Sequence, residues 1–335
     1  MHARLVAAAL LVAAISVIPS CGSDSPTTAN SKSRSGPGSV TSSGGKQPEI
    51  ESYPIAGPVG LVGGAGNIWV VSASEGTVTA RSLATGGLVR TLHVGATPLR
   101  AVYYDHLVWV TVFGGGQVIA IDPGSGRIVH RIALAGQPEG LVPMAGSVWV
   151  VRQKPRLLTE VHTNGNLGRS FQLGSDPRLV AAGRRWLFVT DFVDGTVTRI
   201  DPRTGTRAVS RRICEGPQGL SEAAGTMWIA CTSGDEVIAL DEQTLRVLGR
   251  TRVANEPDAV RAEGSRLFVL STDGPTLQQL APNPGSPMVL RTWRLADAPP
   301  LDDRANVDLL VTGTKIWASS YDTNQLLAMH LSPTG

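Results

Sequence analysis

Gly136-Gln137-Pro138-Glu139-Gly140-Leu141-Val142, followed by Ser147-Val148-Trp149-Val150-Val151, is one copy of a unit that this chain repeats seven times. The hydrophobic–aromatic pair Val148-Trp149 recurs as Ile68-Trp69, Val108-Trp109, Leu187-Phe188, Met227-Trp228, Leu267-Phe268 and Ile316-Trp317, in steps of 40, 40, 39, 40, 40 and 49 residues. Eleven residues before each aromatic stands Pro58, Pro98, Pro138, Pro177, Pro217 or Pro257, with Asn306 in the last unit. Between the markers, short apolar alternations such as Gln117–Ile121 and Arg127–Ile132 flank the turn Asp122-Pro123-Gly124-Ser125-Gly126. In that turn the Asp side chain accepts from the backbone, Pro presets φ, and Gly supplies positive φ. A period near forty built of short strands is the signature of an all-β propeller with one blade per repeat. The repeat therefore predicts a seven-bladed β-propeller over residues 49–335.

Within a unit, the Gly-rich segment after Pro is small enough for the innermost strand of a narrow hub. The next strand carries the aromatic. A residue type kept in every blade serves every blade, so these rings are read as packing elements rather than as ligand-stacking ones. The seventh unit ends after Gln325–Leu331 and lacks a fourth strand, while Ile50–Ala56 precedes the first repeated Pro. We expect the N-terminal segment to complete the last blade and leave no open sheet edge. The long seventh step is assigned to Ala281–Pro300, a Pro-rich stretch read as an enlarged loop.

Ahead of the repeats the composition changes twice. Arg4 and the apolar run Leu5–Ile18 make a signal-peptide pattern over residues 1–20, too short to span a membrane comfortably. Ile18-Pro19-Ser20-Cys21-Gly22 resembles the lipobox of bacterial lipoproteins, in which the cysteine thiol receives diacylglycerol and becomes the mature N-terminus. The resemblance implies lipidation at Cys21, palmitate-type acylation and a lipid anchor on the outer face of the cell membrane. Residues 21–48 then form a Gly/Ser/Pro-rich tether. Its 27 residues from Gly22 to Pro48 span roughly 26–31 Å as a flexible coil.

The repeats themselves resemble those of the YVTN-type β-propellers, on Ile119–Gly126, Gly136–Gly140 and Val148–Val151. That likeness implies fold and leaves activity open, since one fold hosts many functions. It also brings the streptogramin-cleaving lyase propellers into view. That resemblance would ask for clustered histidines and a glutamate at the mouth, but His93, His106, His130, His162 and His330 are spread through the repeat frame. No metal site and no cofactor are expected.

Net charge is +3, and lysine and arginine are scattered along the chain, so no nucleic-acid partner is expected. Setting Cys21 aside leaves Cys214 and Cys231, which the repeat frame puts at the same end of the fifth blade. In an exported protein they are a disulfide candidate. Candidate binding residues are those that change from blade to blade where inner strands begin and where aromatic strands end. They are Glu139, Arg152, Arg178, Asp191, Asp194, Gln218, Asp258 and Tyr321, with ion pairs Arg178–Asp191 and Glu139–Arg152 envisaged. Two functions fit. One is a monomeric, non-enzymatic envelope module that binds a protein, peptide or glycan. The alternative is an envelope lyase or hydrolase using acidic residues at the propeller mouth.

Overall fold

The computed structural model describes residues 48–272, 274–297 and 306–331. Cys21, the signal segment and the tether up to Lys46-Gln47 lie outside the described residues. The described residues form seven four-stranded antiparallel sheets, one per repeat. Six of the inner strands are Pro58–Gly64, Pro98–Tyr104, Pro138–Met144, Pro177–Ala182, Pro217–Ala223 and Pro257–Glu263, and the seventh is Leu309–Thr312. Each repeated proline is thus the first residue of an inner strand. Proline is tolerated there because the ladder needs no donor at that position. We call the end where inner strands begin the starting face and the other the finishing face.

Seven apolar clusters fill the seven gaps between blades. Trp69 packs with Val108 and Val110 of the second blade, and Trp109 with Leu141 and Val148 of the third. Phe188 packs against Leu220 and Met227, and Phe268 against Leu309 and Ile316. Trp317 reaches Leu61 and Ile68, which brings the ring back to the first blade. All seven aromatics are at most 1% exposed. Each removes about 150–250 Å2 of ring surface from water, worth roughly 4–6 kcal/mol as an upper figure. The indole N–H groups of Trp69, Trp109 and Trp149 donate to the carbonyls of Gly64, Tyr104 and Met144 at 3.1–3.2 Å, so these rings are also fixed in direction.

A second inter-blade tie is made by hydroxyls two residues after the aromatic. Thr111 donates to the Glu139 carbonyl of the next blade at 2.8 Å, and Thr190 to that of Gln218 at 3.1 Å. Ser319 likewise donates to Val59 at 3.2 Å across the closure. In the outer hairpins Asp122 and Asp201 accept from backbone N–H groups at 2.7–2.9 Å, which fixes the turns and holds both carboxyls below the usual range.

The N-terminal strand Ile50–Pro54 is the outermost strand of the last blade, paired antiparallel with Gln325–His330 in the register Ile50↔Met329 to Pro54↔Gln325. The expected closure is found. The loop expected at Ala281–Pro300 is corrected: Met288–Arg294 inside it is the outer strand of blade six, paired with Thr276–Ala281. Its alternation turns Val289 and Trp293 inward and Met288 and Leu290 out, a period-2 pattern that the surrounding prolines mask in sequence.

The closing strand is held by charge as well as by its ladder. The Tyr53 hydroxyl donates to Glu51, the Lys315 ammonium sits 3.0 and 3.1 Å from its two oxygens, and His330 Nε2 is 3.3 Å away. Tyr53 and Lys315 hold the Glu51 carboxyl below its ordinary value of 4.5, while burial and Glu51 push the Tyr53 hydroxyl up to about 12. A lowered folded pKa means stability that is present above the unfolded value and lost as pH falls through the folded one. Glu51→Gln is therefore expected to lower the urea midpoint at neutral pH. It should also flatten the loss of stability that the wild type shows as pH drops below about 4.5. Parallel acid limbs for the two proteins would refute this latch.

Candidate functional site

Where the sequence places an open mouth, the structure places a plug. Glu139, Gln218 and Asp258 begin the third, fifth and sixth inner strands just after proline, and they are 1%, 4% and 3% exposed. Among them lies Arg100, 7% exposed, which sequence reasoning missed. Its Nη1 donates to the carbonyls of Val307 at 2.8 Å and Val59 at 3.3 Å, so one guanidinium bridges blades two, seven and one. Asp258 lies 3.6 Å from Arg100 Nη2, and Asp308 lies 3.9 Å from Nη1. Asp308 is also paired with Arg261 at 3.1 Å and accepts from the Leu61 N–H at 3.0 Å.

The reason for a charged hub is visible in the row two residues after each marker: Gly60, Arg100, Gly140, Leu179, Gly219, Ala259 and Asp308. Neighbouring inner strands approach so closely there that a Cβ on Gly60 would stand 2.4 Å from the Leu99 carbonyl, and one on Gly219 2.2 Å from that of Asp258. The row therefore demands small or apolar residues, and its two exceptions are opposite in charge and paired. That exception was the signal available in the sequence. Glu139, Gln218 and Asp258 stand one residue after the marker, whereas Arg100 and Asp308 stand two residues after it.

Most of the other expected residues are engaged elsewhere. Arg178 pairs with Glu139 at 3.6 Å and Asp176 at 3.4 Å, and stacks over Phe192 at 5.3 Å. The envisaged pairs Arg178–Asp191 and Glu139–Arg152 are thus corrected. Asp191 turns instead into its own loop, accepting from the N–H groups of Asp176 and Asp194 at 3.2 Å. Arg152 donates to the Ala135 carbonyl. Asp194 is exposed, and Tyr321 is half-buried against the first-blade core. Burial pushes the carboxyls of Glu139 and Asp258 up, with Arg178 pulling back on the first and Arg100 on the second. Glu139, Asp258 and Asp308 face Arg178, Arg100 and Arg261, so the hub is charge-balanced. Cys214 and Cys231 are joined in a disulfide, Cα atoms 6.1 Å apart, that ties the connection into blade five to the end of its aromatic strand.

On the finishing side of this plug the axis opens into a cavity of about 500 Å3. Arg100, Asp258 and Val307 form its floor, and its wall combines Leu61, Val102, Leu141, Val180, Leu220 and Val260, contributed by different blades. Glu222 and Glu263 stand at its far end. The space therefore joins an apolar wall to a few charged groups, the composition of a small-molecule or side-chain pocket. Among the described residues no group of three or more His, Cys, Asp or Glu side chains is placed to share a metal ion. His93 and His130 lie on outer strands, His130 stacked 6.1 Å from Trp109, and His330 stands at the Glu51 latch.

Removing the central cation should expose its importance. Arg100→Met leaves Asp258 buried with no cation, whereas Asp308 keeps Arg261. We expect a loss of about 3–5 kcal/mol in urea unfolding, partly recovered in the double variant with Asp258→Asn. A single variant as stable as wild type would show that the hub does not depend on this pair.

No family model matches the sequence, and no curated protein matches it. Solved structures do. The streptogramin B lyase structure is 14% identical with a TM-score of 0.71, over 85% of this chain and 98% of that one. BamB from Moraxella catarrhalis is 15% identical with a TM-score of 0.60, over 82% and 84%. The WD40 repeats of RRP9 are 11% identical with a TM-score of 0.73, over 86% and 99%. At such identities the likeness is one of fold: the chain is a seven-bladed β-propeller, consistent with the YVTN-type repeat in its sequence.

Proposed function

We propose that this protein is a lipoprotein of the bacterial cell envelope, acylated at Cys21, whose propeller head binds a ligand rather than transforming one. The observation that supports the binding half of the reading is the axial cavity, walled by all seven blades and closed at its floor by the Arg100–Asp258 pair, while the anchor rests on the sequence Ile18–Gly22 alone. The groups that the lyase or hydrolase alternative would use are committed elsewhere. Glu139 and Asp258 are held in the plug, and Asp191 is 2% exposed and bonded to its own loop. A ligand in this cavity meets polar and apolar surface in about equal measure, which suits a small amphipathic molecule or the side chains of an envelope protein or peptide.

Two measurements address the two halves of the proposal. N-phenyl-1-naphthylamine, a neutral apolar fluorophore, is expected to brighten with the wild-type head. It should fail to do so with Ala182→Trp or Ala262→Trp, two cavity-lining positions that a large ring would fill. Unchanged brightening in both variants, each shown folded by circular dichroism, would remove the cavity from consideration. The anchor is read by intact mass: the membrane fraction should carry a diacylglyceryl-modified N-terminal cysteine, and Cys21→Ser should move the protein to the soluble fraction when membranes are washed at high salt. Retention of that variant in the membrane after the high-salt wash would refute anchoring through Cys21.

A further inference from the structure

Arginines that are scattered in sequence converge at one corner of the head. Residues 167–212 hold nine arginines and four aspartates, a net of +5 in a chain whose total is +3. Six of the nine meet at the finishing face of blade four. Arg184 and Arg185 occupy the hairpin after the inner strand Pro177–Ala182, while Arg199 lies one residue before the end of the third strand Thr196–Ile200. Arg203 lies in the outer hairpin, Arg207 opens the outer strand Arg207–Val209, and Arg169 comes from the neighbouring outer strand Leu167–Gln172.

The contacts confirm that they are neighbours. Arg169 Nη1 donates to the Arg203 carbonyl at 2.8 Å, and Arg207 Nη1 to that of Gln172 at 2.5 Å. Arg185 and Arg199 lie on Trp186 at 5.6 and 4.5 Å. The carboxylates in reach are Glu160, Asp201 and Glu242, buried at 5%, 3% and 3%, and the half-buried Asp241 near Arg199. Glu160 holds Arg169 at 3.0 Å and Asp201 holds Arg185 at 3.3 Å, from beneath. The guanidinium side chains stay outside: those of Arg169, Arg185 and Arg203 are 48%, 59% and 71% exposed. Four carboxylates against six arginines leave the corner with a net positive charge, and its most exposed groups are arginines.

We propose that this arginine corner is a contact site for anionic lipid headgroups that seats the head against the membrane on its finishing face. Planar guanidinium groups match phosphate oxygens with paired hydrogen bonds. A lipid surface is the favoured partner because of where the chain enters. Ile50 pairs with Met329, near the end of the strand Gln325–His330, so the first strand begins at the finishing face, the same face as the corner. This step rests on the anchored reading above, in which a short tether keeps the head within reach of lipid. Clustered basic groups gain affinity for an anionic leaflet within about a Debye length of it.

The chain from Cys21 onward carrying Cys21→Ser retains the closed ring of Ile50 to Leu331 and has no acyl group, so it tests the corner independently of the anchor. Its cosedimentation is compared on vesicles of phosphatidylcholine alone and of phosphatidylcholine with phosphatidylglycerol. Binding is expected to the anionic vesicles only, weakening with salt. It should fall roughly fivefold per arginine removed, hence several hundredfold in Arg169→Gln/Arg185→Gln/Arg203→Gln/Arg207→Gln. Arg184→Gln/Arg207→Gln removes no ion pair to a carboxylate and should fold normally while losing roughly 25-fold. The control removes four exposed arginines from the outer strands of blades five and six: Arg250→Gln, Arg252→Gln, Arg291→Gln and Arg294→Gln. It should bind like the parent. Absence of binding to anionic vesicles, which is what an acidic protein partner would produce, overturns the proposal. Equal binding to neutral vesicles or an equal loss in the control also overturns it. Whether Cys21 is acylated does not enter these readouts.

Discussion

Every blade of this protein depends on an aromatic ring that its neighbour covers. A four-stranded sheet has two apolar faces and cannot bury either alone. Here the ring of each second strand supplies the largest piece of the interface, and the cluster around it always contains residues of the next blade. The ring of blades is therefore stable only if it closes. Trp317 packs on Leu61 and Ile68, and the strand Ile50–Pro54 pairs with Gln325–His330. Closure by the first strand ties the two ends of the described ring together. The Glu51 cluster adds side-chain contacts to that seam, where backbone pairing has only five registered positions.

Closing seven blades around one axis creates the second constraint. The inner strands converge until glycine is needed for their backbones to pass, as at Gly60 and Gly219. A hub this tight has room for few side chains, so any large residue in it must be matched. Arg100 fills the axis, and Asp258 and Asp308 answer it from blades six and seven. Burying these charges is unfavourable unless each finds a partner, which explains why the pairs come together and why the hub is balanced. The plug also divides the channel. What would have been a passage between faces becomes a cavity with a charged floor.

The fold was legible in the sequence because each of its causes repeats. Trp149 and Pro138 mean little alone. Seven aromatics and six prolines in step, mostly about forty residues apart, specify blade number, strand order and the inward face of the second strand. The missing fourth strand of the last unit likewise implied the role of Ile50–Ala56. The site was less legible because it is made of non-repeating residues whose contacts cross blades. Glu139 and Asp258 were found as exceptions to the pattern, but their partners were not. Arg178 reaches Glu139 rather than Asp191, a choice made by side-chain reach across a curved surface that no spacing rule contains. The arginine corner was hidden for the same reason. Arg169, Arg185, Arg203 and Arg207 are separated by up to 38 positions in sequence and meet only because hairpins of adjacent strands end at one face.

The two faces divide the labour by how their charges are arranged. At the starting face acids and bases are buried together and neutralise one another, which closes the axis, although Arg100 Nη2, Glu139 Oε1 and Gln218 Oε1 are left without a hydrogen-bond partner. At the corner of blade four the same two charge types are stacked in layers, with Glu160, Asp201 and Glu242 below and guanidinium groups above. The buried acids at Glu160 and Asp201 orient the arginines and lower the mutual repulsion of so many cations, while leaving outward N–H groups free. One pairing chemistry thus gives a structural lock in one place and a charged surface in the other. What separates the two is whether the cation or only the anion is withdrawn from water.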